Sequence, residues 1–148
     1  MMNILVIHGS NLNLLGTREP EAYGTTTLDQ VNEAIVREAK ELGYETAIHQ
    51  SNHEGVIVDL LHEAIGSVVG AVINPGGYCH TSRAIEDAIS AVDYPVVEVH
   101  MTNIHAREPG PISYTAIPSV GVIAGFRKDS YVLGIRALHL FLQTARTG

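Results

Sequence analysis

The chain has 148 residues, 45% hydrophobic and 17% charged, which is the size and balance of one globular domain, 1–148, with a sizeable core. Its formal net charge of -7, with no basic stripe, excludes nucleic acid as a partner but leaves room for a small anion held by one or two local cations. One cysteine, Cys79, excludes an internal disulfide and a thiolate–metal cluster; with no signal-peptide pattern and no membrane-length apolar run, a reducing cytoplasm is the expected compartment, without membrane association.

The first predicted element is a buried strand over 3–7. A long polar loop follows, from His8 to Gly24, rich in amides and carrying Arg18 and Tyr23. Loops of this length inside an economical domain are usually functional, and this composition suggests an active-site lid. A helix is predicted over 27–42, opened by a Thr27/Gln30 capping box and stopped by Gly43, with Leu28, Val31, Ile35 and Leu42 on one face. Strand 44–49 leads into helix 53–67, for which Ser51 and Glu54 form a second expected capping box. Strand 69–73 runs into the tight turn Asn74-Pro75-Gly76-Gly77, and Thr81 or Ser82 caps helix 81–92. Strands 95–99 and 119–124 and helix 130–145 complete the pattern. The last helix is apolar almost all round, as expected of a helix covered by a neighbour, another subunit included. Repeated strand–helix units imply an α/β, three-layer, flavodoxin-like fold: a five-stranded parallel sheet with helices on both faces.

In such sheets ligands sit beyond the carboxyl ends of the strands. Those ends carry Asn11, Arg18 and Tyr23 after the first strand, Asn74 to Ser82 after the third, and Glu98, His100 and Met101 to Arg107 around the fourth. Glu98 and His100 are two apart on a strand and so point the same way. A central parallel strand is normally apolar on both faces, so two ionisable groups there need partners or a purpose. Alone they read equally well as a satisfied polar pair; beside two other polar loops they read as a site. Turn and cap chemistry explains the glycines and hydroxyls after Asn74 but not His80, and the helix N-terminus there favours an anion. Met101 and Thr102 lie just past a strand end, where free backbone N–H groups suit a carboxylate.

Tyr23, on a loop with Arg18, is a candidate general base. An ordinary phenol titrates near about 10, and bringing it to neutrality requires about 4 kcal/mol of preferential stabilisation of the phenolate. Arg18 and Arg107 are the candidate sources. The two lysines, Lys40 and Lys128, lie away from these motifs, so Schiff-base chemistry is not expected. Phosphate-binding and nucleophile-elbow motifs are absent from the sequence. His49 and His53 straddle a strand-to-helix turn without an obvious third ligand, so no metal site is expected.

With these residues in place the chain resembles the type II 3-dehydroquinate dehydratases nearly end to end. The resemblance is carried by His8-Gly9-x-Asn11-Leu12-Asn13-x-Leu15-Gly16-x-Arg18-Glu19-Pro20-x-x-Tyr23-Gly24, by Asn74-Pro75-Gly76-x-Tyr78-x-His80-Thr81-Ser82 with Asp87, and by Glu98-Val99-His100-x-x-Asn103-Ile104-His105-Ala106-Arg107-Glu108. It implies trans elimination of water from 3-dehydroquinate to 3-dehydroshikimate through an enolate, without metal or cofactor. On that resemblance Tyr23 removes the C2 proton, Arg18 and Arg107 keep it ionised, and Asn11 stabilises the enolate through a bound water. His100 protonates the departing hydroxyl, with Glu98 in its environment. Asn74, Met101 and Thr102 hold the carboxylate of a small anionic cyclic substrate, with His80 on its ring hydroxyls. The family assembles as homo-oligomers, trimers packed into dodecamers, in which the residue matching Asp87 reaches a neighbouring site.

One stretch departs from the family pattern. After Arg107-Glu108 the family usually has Glu-Phe-Arg; here Pro109-Gly110-Pro111-Ile112 intervenes, and no arginine lies between Arg107 and Arg127. The family's second substrate-contacting arginine is missing. That motivates an alternative: a paralogue on the same scaffold acting on or binding a related cyclic hydroxy-acid. A third reading, a non-catalytic small-ligand or flavin-binding module, rests on fold analogy and is opposed by the retained Tyr23 and His100.

Overall fold

The computed structural model describes residues 2–17, 21, 24–107 and 112–147. Its strands are β1 (Met2–His8), β2 (Tyr44–Gln50), β3 (Gly70–Asn74), β4 (Val96–His100) and β5 (Gly121–Ala124). Its α-helices are α1 (Leu28–Glu41), α2 (Glu54–Glu63), α3 (Arg83–Ala91) and α4 (Asp129–Thr147). The strands form one parallel sheet in the order β2-β1-β3-β4-β5, the flavodoxin-like order expected from the repeated strand–helix units.

Strand alternation sorts the apolar side chains to two faces. Ile4, Val6, Val72, Val97 and Val99 pack with Val31, Ile35 and Ala39 of α1 and with Tyr131, Ile135 and Leu138 of α4. Leu5, Ile7, Ala71, Ile73 and Val96 pack with Ile57 and Leu61 of α2 and with Ile85, Ala88 and Ile89 of α3. Each fully buried Ile or Leu contributes about 1.5–3 kcal/mol relative to exposure. Gly134 lets α4 lie close to the sheet: a Cβ there would stand 2.6 Å from Val99 Cγ1 and 3.3 Å from Val72 Cγ1.

The helix ends show where local chemistry acts. The Thr27/Gln30 capping box forms as expected, with Gln30 N–H donating to Thr27 Oγ1 at 3.2 Å and Thr27 N–H to Gln30 Oε1 at 3.0 Å. The second expected box does not form. Ser51 Oγ instead accepts from His53 N–H at 3.0 Å, making a serine turn, and His53 occupies the N-cap position without a side-chain cap. Helix α2 also ends earlier than expected, because Ile65 N–H and Ser67 N–H close tighter turns onto His62 and Ala64 and Gly66 takes a φ of 84°. Ser82, not Thr81, caps α3, its Oγ accepting from Ile85 N–H at 2.9 Å. Strand β5 starts two residues later than expected, since Ser119 is held in a turn by Ala116.

Helix α4 buries Tyr131, Ile135 and Leu138 but leaves Leu133, Leu140 and Phe141 exposed. Edge strand β5 adds exposed Val122. Among the described residues no helix is long and apolar enough to cross a membrane.

Candidate active site

Strands β1 and β3 diverge in connection at their carboxyl ends, the switch point at which parallel α/β sheets bind ligands. His8 and Asn74 are register partners there. The chain after His8 turns against the chain after Asn74: Gly9 N–H donates to the Asn74 carbonyl at 2.7 Å, and a Cβ on Gly9 would stand 2.3 Å from the Pro75 carbonyl oxygen. This close approach gives one wall to a cavity of about 190 Å³. Asn11, Asn74, His100, Met101, Thr102 and Arg107 line it, together with Ser10, Cys79 and nearby apolar residues. Six of the expected site residues, from three loops, are thus brought to one hollow.

Asn11 takes a left-handed conformation, φ 68°, which asparagine adopts more readily than most non-glycine residues. Its N–H donates to Asn52 Oδ1 at 2.9 Å, and Gln50 Nε2 fixes the same oxygen at 3.1 Å. Asn74 is almost fully buried. Its Oδ1 accepts from Gly76 N–H at 3.1 Å, and its Nδ2 donates to the Tyr131 hydroxyl at 2.9 Å.

Glu98 and His100 do point the same way, and both are buried. His100 Nε2–H donates to Glu98 Oε2 at 2.8 Å. Ser113 Oγ donates to the same oxygen at 2.7 Å, and Thr115 Oγ1 donates to Oε1. Burial pushes the Glu98 carboxyl up, but the hydrogen bonds from His100, Thr115 and Ser113 and the charge of His100 outweigh it and hold the group below its ordinary range. The result is a buried carboxylate that orients an imidazole whose ring lines the cavity. Cys79 shares this wall, and burial together with the Glu98 charge pushes its thiol up to about 11, so it is a poor nucleophile at neutral pH. Arg107 brings positive charge to the rim, its Nη2 donating to Thr102 Oγ1 at 3.0 Å.

His80 and Asp87 are not among the residues lining this cavity. His80 Nδ1–H donates to the Ile112 carbonyl at 3.0 Å. Asp87 is exposed on α3 in a separate hollow with Arg83, Ser90, Ile117 and Pro118. Tyr23 and Arg18 lie outside the described residues, as does most of the departing stretch, from Glu108 to Pro111. Among the described residues no group of three His, Cys, Asp or Glu is placed to hold a metal ion.

Sequence reasoning missed Ser113 and Thr115. Their signal was present: two hydroxyls at alternate positions, downstream of a carboxylate that a buried strand had to satisfy. It also missed Tyr131, an apparent core residue of the last helix.

The sequence profile of the family described as Dehydroquinase class II matches residues 2–139. The chain belongs to the class II dehydroquinases. It is 52% identical to a 3-dehydroquinate dehydratase of Ruegeria pomeroyi over 99% of this chain and 100% of that one. It is 53% identical to one of Geotalea daltonii over 93% of this chain and 96% of that one. The crystal structure of type II dehydroquinase from Butyrivibrio crossotus superimposes with a TM-score of 0.89 at 41% identity, covering 93% of this chain and 97% of that one. The class II dehydroquinase fold therefore accounts for the sheet order and for the position of the cavity within it.

Proposed function

We propose that this chain is a hydro-lyase that dehydrates 3-dehydroquinate to 3-dehydroshikimate by trans elimination through an enolate. The observation that carries the reading is the Glu98–His100 pair, an imidazole held at 2.8 Å by a buried carboxylate and facing a cavity also lined by Asn11, Asn74 and Arg107. The relatives' names supply the substrate, and the site chemistry suits it. A proton beside a ketone is acidic enough for a phenolate base when donors meet the enolate oxygen. Tyr23 is the base, with Arg18 and Arg107 stabilising its ionised form. Asn11 stabilises the enolate by way of a water, a role its position in the cavity lining supports. His100 is the acid that protonates the departing hydroxyl, and Glu98 orients its ring. Asn74, with the backbone N–H groups of Met101 and Thr102, receives the substrate carboxylate. His80 contacts ring hydroxyls once substrate is bound.

Oligomerisation belongs to the same proposal. The exposed apolar side chains of β5 and α4 and the outward position of Asp87 support an assembly of trimers in which Asp87 serves a neighbouring site. Light scattering of the purified protein tests it, a monomer being the contrary result.

The missing arginine favours a second reading, action on a related cyclic hydroxy-acid. The geometry gives the next arginine a place: Arg127, with a φ of 54°, puts Nη1 3.1 Å from where a Cβ on Gly24 would lie, beside the residue that follows Tyr23. An absorbance assay for the conjugated enone formed from 3-dehydroquinate, run on wild type and Tyr23→Phe, tests both readings. Wild-type turnover with a loss of at least about 10²-fold in the variant is expected. A folded wild type without turnover favours the second reading, and an undiminished variant removes Tyr23 as the base.

A further inference from the structure

The two residues that meet Asn74 from the sheet and from the last helix have no place in the chemistry above. His8 ends β1 and Tyr131 lies in the first turns of α4, 123 positions apart, and both are fully buried. Tyr131 Oη lies 2.9 Å from His8 Nδ1 and 2.9 Å from Asn74 Nδ2, and His8 Nε2 lies 2.7 Å from Asn32 Oδ1.

A single backbone donor fixes every proton in this chain of contacts. Gly76 N–H points at one end of the Asn74 amide at 3.1 Å, so that end is the carbonyl oxygen. The other end is therefore the NH2 group, and it donates to the Tyr131 oxygen. The Tyr131 hydroxyl hydrogen is then directed to His8 Nδ1, which accepts. A neutral His8 carries its hydrogen on Nε2 and donates to Asn32 Oδ1. Burial pushes His8 down to about 4, opposed by the Asn32 bond, which agrees with a neutral ring. Burial likewise pushes the Tyr131 phenol up, so it keeps its hydrogen.

We infer that His8 and Tyr131 are positioning residues that hold the Asn74 amide with its N–H edge toward the cavity, and so select an acceptor group, such as a carboxylate, on the bound molecule. Asn74 Nδ2 has two hydrogens. Tyr131 takes one, and among the described residues no acceptor meets the second. Asn74 lines the cavity, so the second hydrogen is available to a ligand there. Without the Tyr131 oxygen, only the Gly76 N–H contact at 3.1 Å holds the amide, and its N–H edge is less firmly directed toward the cavity and the acceptor group of a ligand there.

The inference rests on the reading of Asn74 as the carboxylate contact, and its test separates the two. Turnover of 3-dehydroquinate and calorimetric binding of quinate, a cyclic hydroxy-acid carrying a carboxylate, are measured for wild type, Tyr131→Phe, His8→Leu and His8→Asn. Tyr131→Phe is expected to raise KM and the quinate Kd about 10-fold with kcat changed less than about 3-fold. His8→Leu is expected to follow it, whereas His8→Asn, whose amide oxygen stands where Nδ1 stood, recovers most of the loss. A merely structural role lowers the melting temperature without this split between KM and kcat. Should Tyr131→Phe fail to fold, the His8 pair decides by the same criteria. Unchanged quinate binding in a folded Tyr131→Phe, equal effects of His8→Leu and His8→Asn, or a wild type that binds no quinate overturns the inference. A wild type that binds quinate but turns over no 3-dehydroquinate, with the expected loss of binding in the variants, upholds the positioning role and overturns the assigned reaction.

Discussion

Thr115→Val removes one hydroxyl from a carboxylate that is entirely buried. Valine keeps the shape of threonine, so the change tests the hydrogen bond with little change in packing. Glu98 has three side-chain donors, His100, Ser113 and Thr115, and Thr115 is the one that meets Oε1. A hydrogen bond to a charged group contributes about 1.5–3 kcal/mol, and losing one buried partner costs in that range. For 148 residues, an unfolding entropy of about 2.1 cal/mol/K per residue makes 1 kcal/mol worth about 3 °C. The expected fall in melting temperature at pH 7 is therefore about 5–10 °C.

The pH dependence sharpens the test. In wild type Glu98 is held below its ordinary value of 4.5, so its stabilising contribution is present above 4.5 and lost as pH falls through the lower folded value. In Thr115→Val the balance moves toward burial, which favours the protonated form. The difference between the two proteins is then greatest at neutral pH and shrinks as pH falls below 4.5. Urea unfolding at a fixed protein concentration, at several pH values from 7 to 4, reads it directly. A difference under about 0.5 kcal/mol at pH 7 refutes the assignment of Thr115 as a donor to an ionised Glu98.

Three further outcomes are expected. Gly134→Ala overpacks α4 against Val99 and Val72 and lowers stability by about 1–3 kcal/mol, measured by urea unfolding; an unchanged midpoint contradicts the close approach. His8, lowered from 6.5 to about 4, contributes stability that is fully present above 6.5 and lost as pH falls toward 4. That loss is about 3 kcal/mol, and His8→Asn should show a correspondingly flatter stability profile between pH 6.5 and 4, whereas parallel profiles contradict a neutral buried His8. Arg127→Gly removes a left-handed non-glycine conformation and, after the entropy cost of glycine, stabilises the fold by up to about 1 kcal/mol, while its effect on turnover shows whether the guanidinium beside Gly24 is used; clear destabilisation contradicts backbone strain at Arg127.

Local pattern carried the sheet because its strands are continuous apolar runs, and Ile4 to Ile7 declare a two-sided burial that only a covered parallel strand needs. Glu98 and His100 were legible as exceptions to that rule. Thr27 and Gln30 were legible because a capping box is complete within four residues. Ser51 and Glu54 have the same spacing, yet Ser51 turns to His53, since a serine hydroxyl serves either turn and only the following backbone decides. The partner of His8 was not legible, because Tyr131 comes from a distant element brought to it by packing. A tyrosine in the last helix fits an ordinary core position equally well, whereas the hydroxyls of Ser113 and Thr115 carried a signal that went unread.

The most direct test of the proposed chemistry follows the C2 hydrogens of 3-dehydroquinate. Substrate carrying one deuterium at C2, either anti or syn to the departing hydroxyl, is converted by the wild-type protein and the product examined by mass spectrometry. Trans elimination predicts loss of the label from the anti substrate and its retention from the syn substrate. Retention of the anti label, or absence of product from folded protein, contradicts the proposed elimination.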